Sequence, residues 1–227
     1  FLRKKIELIL VMLTLAGLVM VSKKLEKYVN SDKVEKKEYT VVLDAGHGSS
    51  DSGKVGINGV LEKDINLSIS KKTKKYLEEK GIRVVMTRDK DESLAEGENG
   101  NRKVQDMKAR VKRINDTKPD LAVSIHQNSY HEESIHGAQV FYYEHSESGE
   151  KDARILQEAL LAVDPDNTRQ VKANTTYYLL KRTEVPILIV ECGFLSNQEE
   201  AEKLASEDYQ KEIAKAIANG IESCLKD

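Results

Sequence analysis

Four residues of this sequence have side chains suited to metal or acid–base chemistry: His47, Glu62, His126 and Glu191. His47 stands between two glycines in the segment DAGHG, and Glu62 follows in the segment GVLEKD. Two imidazoles and one carboxylate form a common ligand set for a catalytic zinc ion, with one position left for water. A zinc ion held in this way acidifies its water and polarises a carbonyl group. These residue types predict a metal site built from His47, Glu62 and His126.

Glu191 and Asn128 are candidates for the other tasks of such a site. A carboxylate near the activated water, but not bound to the metal, can take up a proton and later pass it to a leaving amine. We predict this general-base role for Glu191. Asn128 follows two residues after His126 in SIHQNS, where it could bind a substrate carbonyl or hold the turn. We interpret the remaining histidines as surface residues: His131, His136 and His145.

The glycines around His47 support the same interpretation. Gly46 and Gly48 allow a tight turn that could aim the imidazole over the end of the preceding strand. Glu62 lies at the expected start of a helix, where a carboxylate is electrostatically favoured. The glycine-rich segment does not fit a dinucleotide-binding loop, because Asp51 stands where the third glycine is needed. It also lacks the Gly-Lys-Ser/Thr sequence of a phosphate-binding P-loop.

Apolar runs alternate with helical patterns after residue 38. This alternation predicts a single α/β domain with a mostly parallel or mixed twisted sheet flanked by helices, of the phosphorylase/hydrolase-like kind. The predicted strands are Thr40–Leu43, Ile82–Thr87, Leu121–Ile125, Ala138–Tyr143, Tyr177–Lys181 and Ile187–Val190. The predicted helices are Lys63–Lys80, Lys103–Asn115, Gly149–Val163 and Asp208–Leu225. Arg88–Arg102 is a predicted loop, and its polar segment Asp89–Arg102 could border a substrate groove.

Three of the candidate residues come directly after predicted strands. His47 follows the first strand, His126 follows Leu121–Ile125, and Glu191 follows Ile187–Val190. Ligands of such sheets bind beyond the carboxyl ends of the strands. We therefore expect these side chains to converge at one edge of the sheet.

The N-terminal segment differs in composition from the rest of the chain. A basic start, RKK, precedes the apolar run Leu8–Val21. This arrangement is typical of a signal peptide or an uncleaved signal-anchor, which we predict for residues 1–22. Residues 23–38 are charged and are predicted to form a tether. Residues 39–227 are then the catalytic domain, exported to the outer side of the cytoplasmic membrane and either anchored or secreted.

The overall charge and the cysteines exclude two classes of function. The chain has 36 basic and 38 acidic residues, without the clustered basic excess of a nucleic-acid-binding protein. It has two cysteines, Cys192 and Cys224, and no CxxC motif. A thiolate zinc site is therefore excluded. Two buried or free thiols are favoured over a disulfide.

Several segments, in order, resemble the zinc-dependent N-acetylmuramoyl-L-alanine amidase family of the amidase 3 type. VVLDAGHGSSDSG is similar to the family's first zinc-histidine segment, and GVLEKDINLSIS to its zinc-glutamate segment. ARVKRINDTKPDLAVSIHQNS and VPILIVECGFLSNQEEAEKL follow in the family's order. The resemblance covers about residues 39–225. It implies that His47, Glu62 and His126 bind zinc, and that Glu191 is the catalytic glutamate.

The same resemblance implies a reaction and a setting. The reaction is hydrolysis of the amide between the lactyl group of N-acetylmuramic acid and the L-alanine of the stem peptide in peptidoglycan. A short membrane segment with one catalytic domain is similar in layout to CwlD-type amidases of spore formers. This implies removal of peptides during cortex synthesis, so that muramic-δ-lactam can form, in the space between the forespore membranes. An extracytoplasmic activator protein is a further hypothesis.

Three alternatives remain open from the sequence. The chain could be a general cell-wall amidase, or autolysin, of vegetative cells. It could bind peptidoglycan without cutting it, although the complete His/Glu/His set and Glu191 argue against that role. It could also be another exported zinc hydrolase, such as a carboxypeptidase or a deacetylase.

Overall fold

A six-stranded mixed sheet forms the centre of residues 38–227 in the computed structural model, which describes residues 2–31, 38–95 and 101–227. The strands are β1 (Thr40–Ala45), β2 (Arg83–Met86), β3 (Leu121–Asn128), β4 (Gln139–Tyr143), β5 (Lys172–Asn174) and β6 (Ile187–Phe194). Their spatial order is β2-β1-β3-β6-β4-β5. The first four strands in this order are parallel, whereas β4 pairs antiparallel with β6 and parallel with β5. The predicted α/β fold with a mixed sheet is confirmed.

Helices cover both faces of this sheet. Along β6, Leu188, Val190 and Cys192 face one apolar layer, while Ile187 and Ile189 face the other. Successive side chains of a strand point to opposite faces, so both faces of β6 are buried. The first layer contains α2 (Glu62–Glu79), α4 (Glu147–Leu161), α6 (Gln198–Ala205) and α7 (Glu207–Lys226), and the second contains α3 (Arg102–Thr117) and α5 (Tyr178–Arg182).

The prediction of a strand at Tyr177–Lys181 is wrong, because this segment forms the short helix α5. The Oδ1 atom of Asn174 accepts hydrogen bonds from the backbone nitrogens of Thr176 and Tyr177, both at 2.7 Å, and so turns the chain into the helix. Leu179 is then buried against the sheet. A short apolar run has no period that separates a strand from a helix. The sequence pattern also failed to predict β5 and α6.

Two strands extend further than predicted. The sequence pattern predicts that β3 ends just before His126 and β6 just before Glu191, but His126 lies inside β3 and Glu191 inside β6. The two residues are register partners in these adjacent parallel strands. A polar residue ends an apolar run in the sequence, but its backbone N–H and C=O groups can still pair with the neighbouring strand. Hydrogen-bonded strands, not loops, therefore hold these two side chains.

The chain divides into two units, and the N-terminal one comprises residues 1–37. It contains α1 (Leu2–Ser31). Across the described residues, no helix combines the length and the apolar character needed to cross a membrane. The signal segment at 1–22 and the tether at 23–38 stay predictions, and residues 32–37 of the tether lie outside the described residues. The same holds for residues 96–100 of the predicted loop.

A buried charge cluster joins α3 to β1. Arg110 NH1 lies 2.7 Å from Asp44 Oδ1, and Arg110 Nε lies 2.6 Å from Asp106 Oδ2. Asp44 also accepts hydrogen bonds from the hydroxyl groups of Ser124 and Thr87, both at 2.6 Å. Burial by itself raises the pKa of the Asp44 carboxyl, but Arg110 and the two hydroxyls outweigh it and lower that pKa to about 2. Asp44 and Arg110 therefore form an ion pair with almost no contact with water.

Loss of this ion pair is expected to destabilise the fold strongly. Arg110→Met leaves the Asp44 carboxylate buried without its cation, which we expect to lower the free energy of unfolding by about 3–5 kcal/mol. Arg154→Met is the matched control, since Arg154 is exposed and pairs with Glu150 on the same helix. Its expected cost is about 0.5 kcal/mol or less. Urea unfolding of both variants measures the difference, and equal costs would contradict this account.

Candidate active site

The four candidate residues meet at the carboxyl ends of the parallel strands. His47 lies two residues after β1, Glu62 begins α2, and His126 lies in β3. One ligand atom from each of these three residues lies within 4.8 Å of the others. Glu191 is the neighbour of His126 across the β3–β6 pairing. The structure thus brings together the side chains that the sequence singled out.

Glu62 is the buried centre of this group. Its Oε1 atom lies 3.2 Å from His47 Nε2 and 3.0 Å from His126 Nδ1. Its Oε2 atom accepts a hydrogen bond of 2.8 Å from the backbone nitrogen of Lys54. Burial opposes ionisation, but the hydrogen bonds with His126 and His47 outweigh it and hold the pKa of the Glu62 carboxyl well below its usual value. A charged carboxylate therefore stands between two imidazoles, and the three residues could hold a metal ion.

The two glycines beside His47 serve different purposes. Gly48 has a φ of 137°, and His47 itself has a φ of 63°, in the left-handed region that non-glycine residues rarely adopt. Gly46 provides space instead, because a Cβ atom there would lie 2.2 Å from His126 Cε1. The sequence predicts the turn, whereas the strained backbone of His47 is seen only in the structure.

Asp51 fixes the ring of His47, a role that sequence reasoning missed. Asp51 Oδ2 lies 2.9 Å from His47 Nδ1. Two backbone hydrogen bonds with Gly48, of 2.9 and 3.1 Å, hold Asp51 in place. A carboxylate on the far nitrogen of a ligand histidine sets its tautomer and orientation. His47 Nε2 is left facing Glu62, and the spacing of four residues within a tight turn is the signal that could have revealed Asp51.

Glu191 differs from Glu62 in having few partners. It is 8% exposed, and no hydrogen bond to its Oε2 atom is found among the described residues. Burial raises the pKa of its carboxyl to about 7, against the opposing charge of His126 and with repulsion from Glu62 adding to the rise. A buried carboxyl with a raised pKa beside charged neighbours is typical of acid–base sites.

A cleft of about 370 Å³ gives access to this group from the side of α3 and α5. His47, His126 and Glu191 line it together with a largely apolar wall that includes Met107, Tyr177 and Leu179. A second hollow, of about 430 Å³, adjoins it and is lined by Glu62 and Asn128. Asn128 Oδ1 accepts a hydrogen bond of 2.8 Å from the nitrogen of Ser129, so its side chain contributes to the turn. Substrate binding by Asn128 stays a prediction.

The other histidines and the cysteines lie outside the group. Cys192 is buried in the apolar layer on the face of β6 opposite Glu191, and Cys224 is half-buried. Both thiols are free, as predicted, and burial raises the pKa of the Cys192 thiol well above its usual value. The three histidines interpreted as surface residues are exposed: His131, His136 and His145.

The fold and the site together define an α/β protein with a candidate metal centre at the carboxyl edge of its sheet. The sequence matches the family described as N-acetylmuramoyl-L-alanine amidase over residues 41–223. The chain therefore belongs to the N-acetylmuramoyl-L-alanine amidase family, and its class of enzyme is a hydrolase of linear amides.

Individual relatives agree with this assignment. The germination-specific N-acetylmuramoyl-L-alanine amidase of Bacillus subtilis (strain 168) is 40% identical over 184 residues, or 80% of this chain and 77% of that protein. The CwlD amidase from Clostridioides difficile, solved in complex with the GerS lipoprotein, superposes with a TM-score of 0.80 at 37% identity, over 83% of this chain and 99% of that chain. The N-acetylmuramoyl-L-alanine amidase AmiC2 of Nostoc punctiforme gives a TM-score of 0.72 at 33% identity, over 83% of this chain and 98% of that chain.

The close approach at Gly46 generates a testable prediction. Gly46→Ala adds a methyl group that overlaps the His126 ring, so we expect metal affinity to fall by at least about tenfold. Competition with a chromogenic chelator measures this affinity, and circular dichroism checks that the variant is folded. Gly17→Ala is the control, since a Cβ atom at Gly17 meets nothing within 4 Å. Wild-type affinity in Gly46→Ala would refute the steric argument.

Proposed function

We propose that this chain is a zinc-dependent amidase that hydrolyses the bond between the lactyl group of N-acetylmuramic acid and the L-alanine of the stem peptide. One observation carries the proposal. The buried Glu191 carboxylate, whose Oε2 atom has no hydrogen bond among the described residues, lines the cleft with His47 and His126 and also lines the adjoining hollow with His47 and Glu62. One ligand atom from each of His47, Glu62 and His126 lies within 4.8 Å of the others. This is the combination that metal-assisted hydrolysis of an amide requires.

The donor set supports zinc as the metal. His47, Glu62 and His126 offer two nitrogens and one oxygen, the set found at many catalytic zinc sites. The lowered pKa of Glu62 means that its negative charge is present before a cation binds. Asp51 supports the orientation of His47 through its Nδ1 atom. When bound, the ion supplies Lewis-acid chemistry, which lowers the pKa of water and polarises the scissile carbonyl.

Glu191 carries the proton through the reaction in this proposal. Its carboxylate accepts a proton from the attacking water while the water oxygen bonds to the carbonyl carbon. Glu191 then returns the proton to the alanine nitrogen as the C–N bond breaks. The products are a carboxylic acid on the lactyl group and a free amino group on the stem peptide. Burial, which raises the pKa of Glu191, suits a group that must hold a proton and release it.

The spore cortex is the setting that the relatives favour. One relative is described as germination-specific, and another is the CwlD amidase, solved with a lipoprotein. We infer that this chain removes stem peptides outside the cytoplasmic membrane so that muramic-δ-lactam can form. Residues 1–22 would attach it to the membrane or direct its export. A lipoprotein of the kind in the CwlD complex is the proposed activator.

Replacement of the proposed base tests the reaction. Glu191→Gln cannot accept a proton, so we expect turnover of purified peptidoglycan to fall at least about 10²-fold while zinc stays bound. Mass spectrometry of the wild-type digest should show free stem peptides with an L-alanine amino terminus. Glu158→Gln, an exposed change on α4, is the control and should keep full activity. Release of D-alanine or of acetate instead would refute the amidase assignment.

Replacement of a proposed ligand tests the metal site separately. His126→Ala removes one of three donors, and we expect the chain to lose its bound zinc after dialysis. Atomic emission spectroscopy measures zinc per chain. His136→Ala is the matched control, because His136 is exposed and outside the group. Equal zinc contents in the two variants would exclude His126 as a ligand.

A further inference from the structure

Two buried arginines hold the backbone of the loop that carries His47. Arg88 is 2% exposed and Arg110 is 1% exposed. Arg88 donates through Nε to the carbonyl oxygen of Ala45 at 2.9 Å and through NH2 to that of Gly46 at 3.0 Å. Arg110 donates through NH1 to Ala45 O at 2.8 Å and through NH2 to His47 O at 2.6 Å. Three consecutive carbonyl groups therefore accept hydrogen bonds from guanidinium groups.

Arg88 also links this loop to the helix that carries Glu62. Its NH2 group donates to the carbonyl oxygen of Lys63 at 2.8 Å, and Lys63 directly follows Glu62. Asn66 strengthens the link, since its Nδ2 atom lies 3.1 Å from Gly46 O and 3.3 Å from Glu62 Oε1. The Arg88 side chain thus holds the backbone next to two of the three candidate ligands, His47 and Glu62.

The conformation of His47 explains why such restraint is needed. A non-glycine residue in the left-handed region is strained and persists only where its surroundings impose it. His47 has a φ of 63°, and Ser49, two residues later, has a φ of 54°. Hydrogen bonds from a charged donor are stronger than those between neutral groups. The guanidinium contacts therefore oppose the relaxation of this turn to a less strained conformation.

The positive charge of the two arginines does not by itself favour the binding of a metal ion nearby. Two buried guanidinium groups repel each other and also repel a divalent cation nearby, and the repulsion is strongest where water is excluded. A neutral side chain at position 88 would remove part of that repulsion. Any gain for metal binding must come from the geometry that Arg88 imposes.

We propose that Arg88, with Arg110, is a positioning residue that presets the backbone of His47 so that its Nε2 atom meets the metal. This inference rests on the proposed metal-dependent function and deepens it. It requires no contact between either arginine and the metal or the substrate. It also predicts that geometry and charge at position 88 affect metal affinity in opposite directions.

Zinc titration of the metal-free full-length chain, in competition with a chromogenic chelator, tests this role. We expect Arg88→Met to bind zinc about 10–100-fold more weakly than the wild type. Arg88→Lys keeps the charge but lacks the planar fork, so we expect a smaller loss that is still measurable. Unchanged or tighter binding by Arg88→Met would overturn the proposal. If Arg88→Met does not fold, Arg88→Lys decides, and wild-type affinity in that variant overturns it.

A destabilised control separates positioning from general stability. Gln157 is buried in the layer of α4, where it donates to Ala138 O at 3.0 Å and accepts from the nitrogen of Val140 at 2.8 Å. Gln157→Met should lower the free energy of unfolding and leave zinc affinity unchanged. Equal loss of affinity in Gln157→Met and Arg88→Met would refute the positioning role. Absence of zinc binding by the wild type would instead refute the proposed function.

Discussion

The buried carboxylate of Glu62 is the constraint on which the site depends. A carboxylate that is 2% exposed would be costly without partners, and it receives them from several separate parts of the chain. His47 comes from the loop after β1, while His126 and the backbone nitrogen of Gln127 come from β3. The strands and α2 must dock in one arrangement to satisfy this charge. The same arrangement brings the three potential ligand atoms together.

The acidic side chains and the two buried arginines near Glu62 contact different parts of the His47 loop. The carboxylates of Glu62 and Asp51 contact the imidazoles, and the guanidinium groups of Arg88 and Arg110 lie behind the loop backbone and not in the ligand group. Asp44 balances one guanidinium directly. Negative charge is therefore concentrated where a cation would bind, and positive charge is used for the backbone. This separation allows two buried arginines to coexist with a candidate metal centre.

The sequence made the residue types at the site predictable, but not the residues that orient them. His47, Glu62 and His126 could be found because their types match a known ligand set and their positions match strand and helix ends. Arg88 lies more than 40 residues from the loop it holds, and its partners are backbone carbonyl groups that carry no sequence pattern. The α5 segment was misassigned because five residues cannot display a helical period, and its conformation depends on the turn at Asn174.

Because β4 runs antiparallel to β6, the loops before and after β4 lie at opposite edges of the sheet. They therefore differ in how an insertion would affect the cleft. Residues 129–138 join β3 to β4 at the edge where His126 and Glu191 lie. Residues 144–146 join β4 to α4 at the opposite edge, next to the start of β6. An insertion at 144–146 would therefore extend the loop at the edge of the sheet away from the cleft. An insertion at 129–138 would instead alter the rim of the cleft. A fluorescent or affinity module is therefore best inserted in the loop at residues 144–146.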